Sequence, residues 1–281
     1  MPRSRSLAVR MVLVTVLTPV IAVGLLGLVF VFTPGRWMFG LILGLLIGAV
    51  AGTFKVIKAA DDEAYVLLER EDPELFAVLD RLCALADIPR PSVILSDQAQ
   101  PNSWVIHFPG RPPRLHVTRA LREMLTIEEL QAVLGHELAH IANRDARVMT
   151  VVGLPAAFMK QARAAGSLVI VFVWAIGALS TLGVSMLSRY RELTADAGSA
   201  VITGRPSALA SALLKVSDSL GRIPQEDLRA ASALNAFNLV ATPSRHWLAR
   251  RLPRITSTHP PVQARIDALA RLEEAQQLPR L

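Results

Sequence analysis

Cysteine is nearly absent from this sequence, and so are the patterns by which proteins recognise nucleic acids. The single cysteine among the 281 residues is Cys83, so no disulfide framework exists, which favours a reducing compartment. Zinc-finger spacings, basic runs interleaved with aromatics and RNA-binding aromatic motifs are all missing, so the net charge of +7 does not indicate a nucleic-acid partner. The excess of basic residues instead favours contact with an anionic membrane surface.

Charged residues are also scarce, and long apolar runs take their place. Charged residues make up 19% of the chain, against roughly 25% in an ordinary soluble domain, while apolar residues make up 52%. Residues 11–32 contain no charge and would reach about 33 Å as a helix, which is enough to cross a bilayer. Residues 37–54 form a second apolar run. Together the two runs predict a transmembrane hairpin over residues 1–58, with the lipid bilayer as a partner.

Basic residues beside these runs predict the orientation of the hairpin. Arg36 alone lies in the short turn between the runs, whereas five basic residues flank the other ends: Arg3, Arg5, Arg10, Lys55 and Lys58. The positive-inside rule therefore places both ends of the hairpin in the cytosol, as in a multi-pass protein of a bacterial-type inner membrane. A cleavable signal peptide is the alternative, but the first run is longer than the usual apolar core and lacks a small-residue cleavage site.

The segment 59–145 is polar enough to form a folded domain outside the bilayer. Its first part has helical periodicity interrupted by Pro73, which predicts two short helices. Three short apolar or alternating runs follow and predict a small sheet: 92–96, 103–108 and 114–118. Prolines after the second run mark it as an edge or hairpin strand. The predicted fold class is mainly α with a small β-sheet, within a polytopic membrane protein.

The stretch VLGHELAHIANRD carries the strongest chemical signal in the chain. Thr126 and Glu129 form a capping box ahead of it, which predicts that the stretch lies on a helix. His136 and His140 are four residues apart and face the same side, so their imidazoles can hold one zinc ion. Glu137 lies at the flank of that face, where it can act as general base toward a zinc-activated water.

A second stretch, SRYRELTADAGSA, supplies two carboxylates to one helical face. Glu192 and Asp196 are again four residues apart. Catalytic zinc takes three protein ligands and keeps an open place for water, so Glu192 is the predicted third ligand. Asp196 would accept the outer N–H of a ligating histidine and fix its tautomer. The alternative for this segment is a solvated helix face without a metal.

These two stretches, together with STHPPVQARIDAL, resemble the three signature regions of the M48 metallopeptidases, particularly the HtpX-type integral-membrane heat-shock proteases. Order, spacing and the paired N-terminal runs agree, so the resemblance covers nearly the whole chain. It implies a gluzincin-like domain with His136, His140 and Glu192 on one zinc ion and Glu137 as general base. It also implies a zinc metalloendopeptidase that hydrolyses misfolded or damaged membrane proteins at the cytosolic face.

The strand before the metal helix, PNSWVIHF, is similar to an Asn-Ala-Phe-Ala strand of that family. Ser103 stands where alanine is usual and Arg144 where glycine is common, so the family's substrate preference is not transferred. An edge strand can hold an extended substrate through main-chain hydrogen bonds, and Asn102 to Phe108 is the candidate strand, with Asn102 a candidate substrate contact. The alternative is an ordinary structural strand.

His259 precedes two prolines and a helix predicted to begin near Val262. Its imidazole could donate to the oxyanion of the tetrahedral intermediate. It could equally brace the turn, and both interpretations stay open at the level of the sequence.

A second apolar block, 146–187, lies between the two metal-binding stretches. Residues 167–187 form a credible span, and residues 146–164 would form a helix about 28 Å long. If His140 and Glu192 share one ion, the connecting chain must cross the membrane an even number of times or dip in and return. The block is therefore predicted to be a second membrane hairpin, full or re-entrant. The catalytic domain is then divided into two parts: 59–145 and 188–281.

Two other functions compete with a membrane-embedded protease. A catalytically inactive membrane chaperone or scaffold would keep the helix, but the presence of Glu137, which folding does not require, speaks against it. A transporter or channel should carry ionisable residues within its spans, and residues 11–32 and 167–187 have none.

Overall fold

The computed structural model describes residues 64–107, 111–145, 187–220, 239 and 259–277, together with the isolated positions 20, 24, 27 and 44. Within this described part, no helix combines the length and the apolar character that a membrane crossing requires. Both predicted membrane hairpins lie outside the described residues, apart from the isolated positions and residue 187. The spans and the domain boundaries drawn from them therefore stay predictions.

The sheet has three strands in the order β1-β3-β2: β1 is Ser92–Ser96, β2 is Ser103–Ile106 and β3 is Arg114–Thr118. β3 runs parallel to β1 and antiparallel to β2. The predicted strands are confirmed, with β2 ending two residues earlier than the run that predicted it. β2 also lies at an edge, as its flanking prolines indicated, and no described strand pairs with its outer side.

At the opposite edge of the sheet, the outer side of β1 is hydrogen-bonded to the backbone of residues 65–67. The N–H of Leu67 donates to the carbonyl of Val93 at 2.9 Å, and the N–H of Leu95 donates to the carbonyl of Tyr65 at 3.2 Å. These two bonds satisfy backbone groups of β1 that would otherwise offer a second template for strand pairing. Among the described residues, the edge that stays available is therefore that of β2.

The helical segment at the start of the domain differs from the prediction of two short helices. Glu69–Glu71 form one 3₁₀ turn, and a single helix, α1, follows over Pro73–Ala86. Asp72 separates them because a residue before proline avoids helical backbone angles, and its side chain caps α1 by accepting from the N–H of Leu75. Cys83 is buried on α1, and burial raises the pKa of its thiol to about 11. Its interpretation as a small core side chain is confirmed.

Helix α2 covers Arg119–Met124, and α3, which covers Ile127–Asn143, carries the histidine motif. The predicted capping box is confirmed: Thr126 Oγ1 accepts from the N–H of Glu129, and Glu129 Oε2 accepts from the N–H of Thr126 at 2.9 Å. α3 ends at Arg144, whose φ of 60° is left-handed. This conformation favours glycine, which explains why glycine is common there in the family that the sequence resembles.

Three helices complete the described fold: α4 over residues 187–203, α5 over Pro206–Leu220 and α6 over Val262–Gln277. α3 is the central element, since it packs on α1, β2 and α5. Glu129 ties α3 to α5 by accepting from Ser211 Oγ at 2.6 Å and Lys215 Nζ at 2.8 Å. α6 packs on α5 and begins at the residue that the sequence predicted.

Candidate metal centre

The site begins with a close approach of α3 and α4. A Cβ atom on Gly135 would lie only 3.2 Å from both Ser199 Oγ and Thr203 Cγ2, so the glycine permits the two helices to touch. Ser199 Oγ donates to the carbonyl of Ala132 at 2.6 Å. Because residues earlier in α4 contact residues later in α3, the helices run antiparallel. This contact brings the carboxylate of Glu192 beside the histidines of α3.

His136, His140 and Glu192 face one another in the buried space between these helices. His136 Nε2 lies 3.1 Å from His140 Nε2. Glu192 Oε2 is 3.6 Å from His136 Nε2, and Oε1 is 3.6 Å from His140 Nε2. Ligand atoms about 2.0 to 2.2 Å from a tetrahedral zinc ion are about 3.3 to 3.6 Å apart. The two separations between histidine and carboxylate fall in that range, and the 3.1 Å between the histidine nitrogens is slightly shorter.

Each histidine has a buried carboxylate behind it. Asp196 Oδ1 lies 2.9 Å from His136 Nδ1, and Asp145 Oδ2 lies 2.8 Å from His140 Nδ1. A carboxylate accepts only from a protonated nitrogen, so these contacts keep the proton on Nδ1 of both rings. The Nε2 lone pairs are then left for a metal ion.

Two buried arginines neutralise these carboxylates. Arg265, on α6, donates to Asp196 through Nε at 2.8 Å and through Nη2 at 2.6 Å. Its Nη1 donates to the carbonyl of Leu239 at 2.6 Å. Arg191 is placed similarly, with Nε 3.5 Å from Asp145 Oδ2 and Nη2 3.3 Å from Glu192 Oε1. The ion pair of Arg265 with Asp196 is bidentate and shorter than the contacts of Arg191 with Asp145 and Glu192.

The protonation of the site follows from these partners. Burial lowers the pKa of His136, but the carboxylates of Asp196 and Glu192 outweigh it and raise that pKa to about 9. Burial raises the pKa of Glu192, but the His259 and His136 side chains hold it well below its usual range. Both α4 carboxylates are therefore ionised at neutral pH, since Arg265 likewise holds the pKa of Asp196 low despite burial. His136 therefore carries a second proton at neutral pH, on Nε2, which a metal ion would displace while Nδ1 keeps its proton beside Asp196.

The charges around the site suit a divalent cation. Among the described residues, four buried carboxylates and two buried guanidinium groups surround it: Glu137, Asp145, Glu192, Asp196, Arg191 and Arg265. With neutral histidines, two negative charges are left over, and one divalent ion cancels them. Two imidazole nitrogens and a carboxylate oxygen are also the ligand types that zinc takes in catalytic sites. The residues present therefore fit a zinc ion.

Glu137 lies next to the ligands and outside the ligand cluster. Within the described ranges, the cluster of candidate ligands consists of His136, His140 and Glu192. The buried Glu137 carboxylate instead accepts through Oε1 from Ser103 Oγ, at 2.8 Å, on β2. The general base predicted from the sequence is thus held between the metal helix and the edge strand.

The two remaining candidates from the sequence lie at the border of the site. His259 is buried, with Nδ1 3.3 Å from Glu192 Oε2. Asn102 is also buried, and its Oδ1 accepts from the N–H of Leu239 at 2.9 Å, which links the start of β2 to the residue that Arg265 holds. Neither contact decides whether His259 meets an oxyanion or Asn102 meets a substrate, so both roles stay predictions.

Sequence reasoning missed three residues of the site: Asp145, Arg191 and Arg265. Asp145 comes five residues after His140, and only the left-handed turn at Arg144 returns its carboxylate to that histidine. Arg265 lies 69 positions after Asp196, so no local spacing indicates the pair. A usable signal was present, because Arg191 and Arg265 each lie inside one of the two later signature stretches, but the sequence alone assigned neither residue a role.

The carboxylates behind the histidines give a prediction. Asp145→Asn and Asp196→Asn should each weaken zinc binding about 10- to 100-fold, because the histidines lose their fixed tautomer. Asp196→Asn should lower the free energy of unfolding further, by about 3 kcal/mol, since the buried Arg265 loses its closest counter-ion and keeps Glu192 at 3.8 Å. Zinc competition with a chelating dye and thermal melting measure the two effects. Asp80→Asn, which removes a surface ion pair with Arg90, is the control and should change neither zinc affinity nor melting temperature. Wild-type zinc affinity in both site variants would contradict the role of these carboxylates in orienting the histidines.

Comparisons with known proteins agree with this geometry. The family model described as "Peptidase family M48" matches residues 69–273. A protein named "Protease HtpX homolog" from Moorella thermoacetica is 40% identical over 230 residues, which cover 73% of this chain and 74% of that protein. "Protease HtpX homolog 1" from Streptomyces coelicolor is 37% identical over 289 aligned residues, covering 95% of this chain and 93% of that protein. The crystal structure of S. mikatae Ste24p has the same fold, with a TM-score of 0.52 at 16% identity over 95% of this chain and 67% of that one.

Proposed function

The chain belongs to peptidase family M48 as an HtpX-type protease, and from this premise we propose that it is a membrane-bound, zinc-dependent endopeptidase. Its substrates are misfolded or damaged membrane proteins, which it cleaves at the cytosolic face of a bacterial-type inner membrane. The observation that carries the proposal is the buried cluster of His136, His140 and Glu192, with the carboxylate of Glu137 beside it.

The residues of the site have distinct roles in peptide hydrolysis. His136, His140 and Glu192 would hold a zinc ion, which would supply a Lewis acid for the scissile carbonyl and for water. Glu137 takes a proton from the attacking water and passes it to the leaving amine. Asp145 and Asp196 hold the two imidazoles in the orientation that directs Nε2 into the site.

The edge strand β2 is the proposed template for the substrate. It contacts α3, and its first residue, Ser103, reaches the general base, so a peptide paired with β2 would run beside the catalytic carboxylate. Main-chain pairing tolerates varied side chains, as the cleavage of unfolded polypeptides requires. Asn102 immediately precedes this strand. Its side chain accepts a hydrogen bond from the backbone N–H of Leu239, which anchors the start of the proposed template.

Cleavage of an unfolded polypeptide by the detergent-purified full chain tests the proposed activity. We expect hydrolysis that a chelator stops and that added zinc restores. A single-pass membrane protein with a destabilised span should be cut more readily than its stable parent if damaged membrane proteins are the substrates. A wild-type chain that binds zinc yet cuts neither protein would favour an inactive chaperone or scaffold instead.

The proposed topology is tested by accessibility of single cysteines in a Cys83→Ser background. Gln98 and Ala275 are exposed and lie in the two predicted parts of the catalytic domain. Cysteines at both positions should resist an impermeant thiol reagent in intact cells and react after lysis, because both parts are expected in the cytosol. A cysteine at Gly35, in the outer turn of the predicted hairpin, is the positive control. Labelling at Ala275 but not at Gln98 in intact cells would mean an odd number of crossings and would exclude the shared metal site.

A further inference from the structure

The hydrogen bond between Ser103 and Glu137 involves neither the candidate metal ligands nor the carboxylates that contact the histidines. Ser103 is fully buried as the first residue of β2, and its Oγ donates to Glu137 Oε1 at 2.8 Å. The two residues lie 34 positions apart and reach each other from different elements. The strand end is fixed by its pairing with Val117 of β3, and Glu137 is fixed on α3.

A general base needs a fixed carboxylate. The terminal torsion of glutamate is soft, so a carboxylate without a partner samples a broad range of orientations. A hydroxyl that donates to an ionised oxygen makes a strong, directional bond and removes that freedom. With Oε1 engaged by Ser103, Oε2 is the oxygen left to exchange protons with water and with the leaving amine.

We propose that Ser103 is a positioning residue for the general base, a role that rests on the proposed function of Glu137. Ser103 contributes its backbone to the edge strand and its hydroxyl to the carboxylate. A shift of β2 on substrate pairing therefore reorients the catalytic carboxylate through the hydrogen bond on Oε1. An alanine at this position would have no donor for that oxygen, so the device depends on the hydroxyl of Ser103.

Kinetics of the Ser103→Ala variant test the proposal. We expect kcat to fall about five- to tenfold, with KM and zinc content unchanged, because the bond orients the base without binding substrate or metal. Ser103→Thr keeps the hydroxyl and should retain most of kcat. Ser211→Ala is the matched control, since it removes another serine hydroxyl that donates to a buried glutamate of α3, at 2.6 Å, and that glutamate is Glu129, eight residues before Glu137. It should lower the melting temperature and leave kcat within about twofold of wild type.

A double-mutant cycle on the chelator-treated protein gives a readout that does not depend on activity. Ser103→Ala should lower the melting temperature by about 2 to 4 °C, and by less than half as much in a Glu137→Ala background. Unchanged kcat in Ser103→Ala, an equal fall of kcat in Ser211→Ala, or additive melting shifts would each overturn the proposal while leaving the protease assignment intact. A wild-type chain without hydrolytic activity would overturn both, so the two failures are distinguishable.

Discussion

Peptide hydrolysis by the Glu137→Gln variant is expected to be about 10²- to 10⁴-fold slower than wild type, the range that a lost general base produces. Glutamine has nearly the same shape, and its carbonyl oxygen can still accept from Ser103, so the site should stay folded. Its amide cannot take a proton from water at neutral pH. Zinc content should stay at the wild-type level because Glu137 lies outside the ligand cluster.

The control for this variant is Glu128→Gln, which makes the same chemical change in the first turn of the same helix, at an exposed position. It should retain wild-type hydrolysis. Loss of zinc from Glu137→Gln would mean that Glu137 is a ligand. Hydrolysis at the wild-type rate would mean that another group acts as the base.

The Glu192→Ala variant is expected to lose both zinc and hydrolysis. Among the residues that the structure describes, its carboxylate supplies the oxygen ligand of the cluster, and α4 brings it within 3.6 Å of both histidine nitrogens. Removal of a direct ligand should weaken zinc binding by more than the roughly 10- to 100-fold expected for Asp145 or Asp196, which touch only the outer nitrogens. It also leaves two histidines on one helix, which is one ligand fewer than catalytic zinc sites use.

Metal analysis after dialysis, together with the hydrolysis assay, measures this effect. Glu273→Ala is a suitable control because that carboxylate caps the N–H of Ser207, away from the site. The two variants are then distinguished by their zinc content. Glu137→Gln should keep zinc and lose activity, whereas Glu192→Ala should lose both. If Glu192→Ala bound zinc as tightly as wild type, the third ligand would have to be another residue.

The elements around the motif could be predicted because their signals are local. The capping box of Thr126 and Glu129 fixes where α3 begins, and the i, i+4 spacing puts His136 and His140 on one face. β1 and β3 were predicted to the residue because Asp, Gln, Pro and Gly separate short apolar runs. The same spacing rule puts Glu192 and Asp196 on one face of α4, where the structure has both pointing at His136.

The surroundings of the ligands could not be predicted, because they depend on contacts across the chain. Arg265 is fully buried although arginine in an amphipathic helix is usually solvated, and it meets Asp196 through the contact of α6 with α4. Asp145 reaches His140 through a left-handed Arg144, a conformation that the residue type does not favour. The hydroxyl of Ser103 meets Glu137 only because β2 packs against α3.

The most direct test of the account is a zinc titration of the chelator-treated, detergent-purified chain in which bound metal and peptide hydrolysis are measured on the same samples. If His136, His140 and Glu192 hold the catalytic metal, hydrolysis should rise in proportion to bound zinc and level off at one ion per chain. Full hydrolysis before zinc is added, or hydrolysis that does not follow the bound metal, would contradict the account.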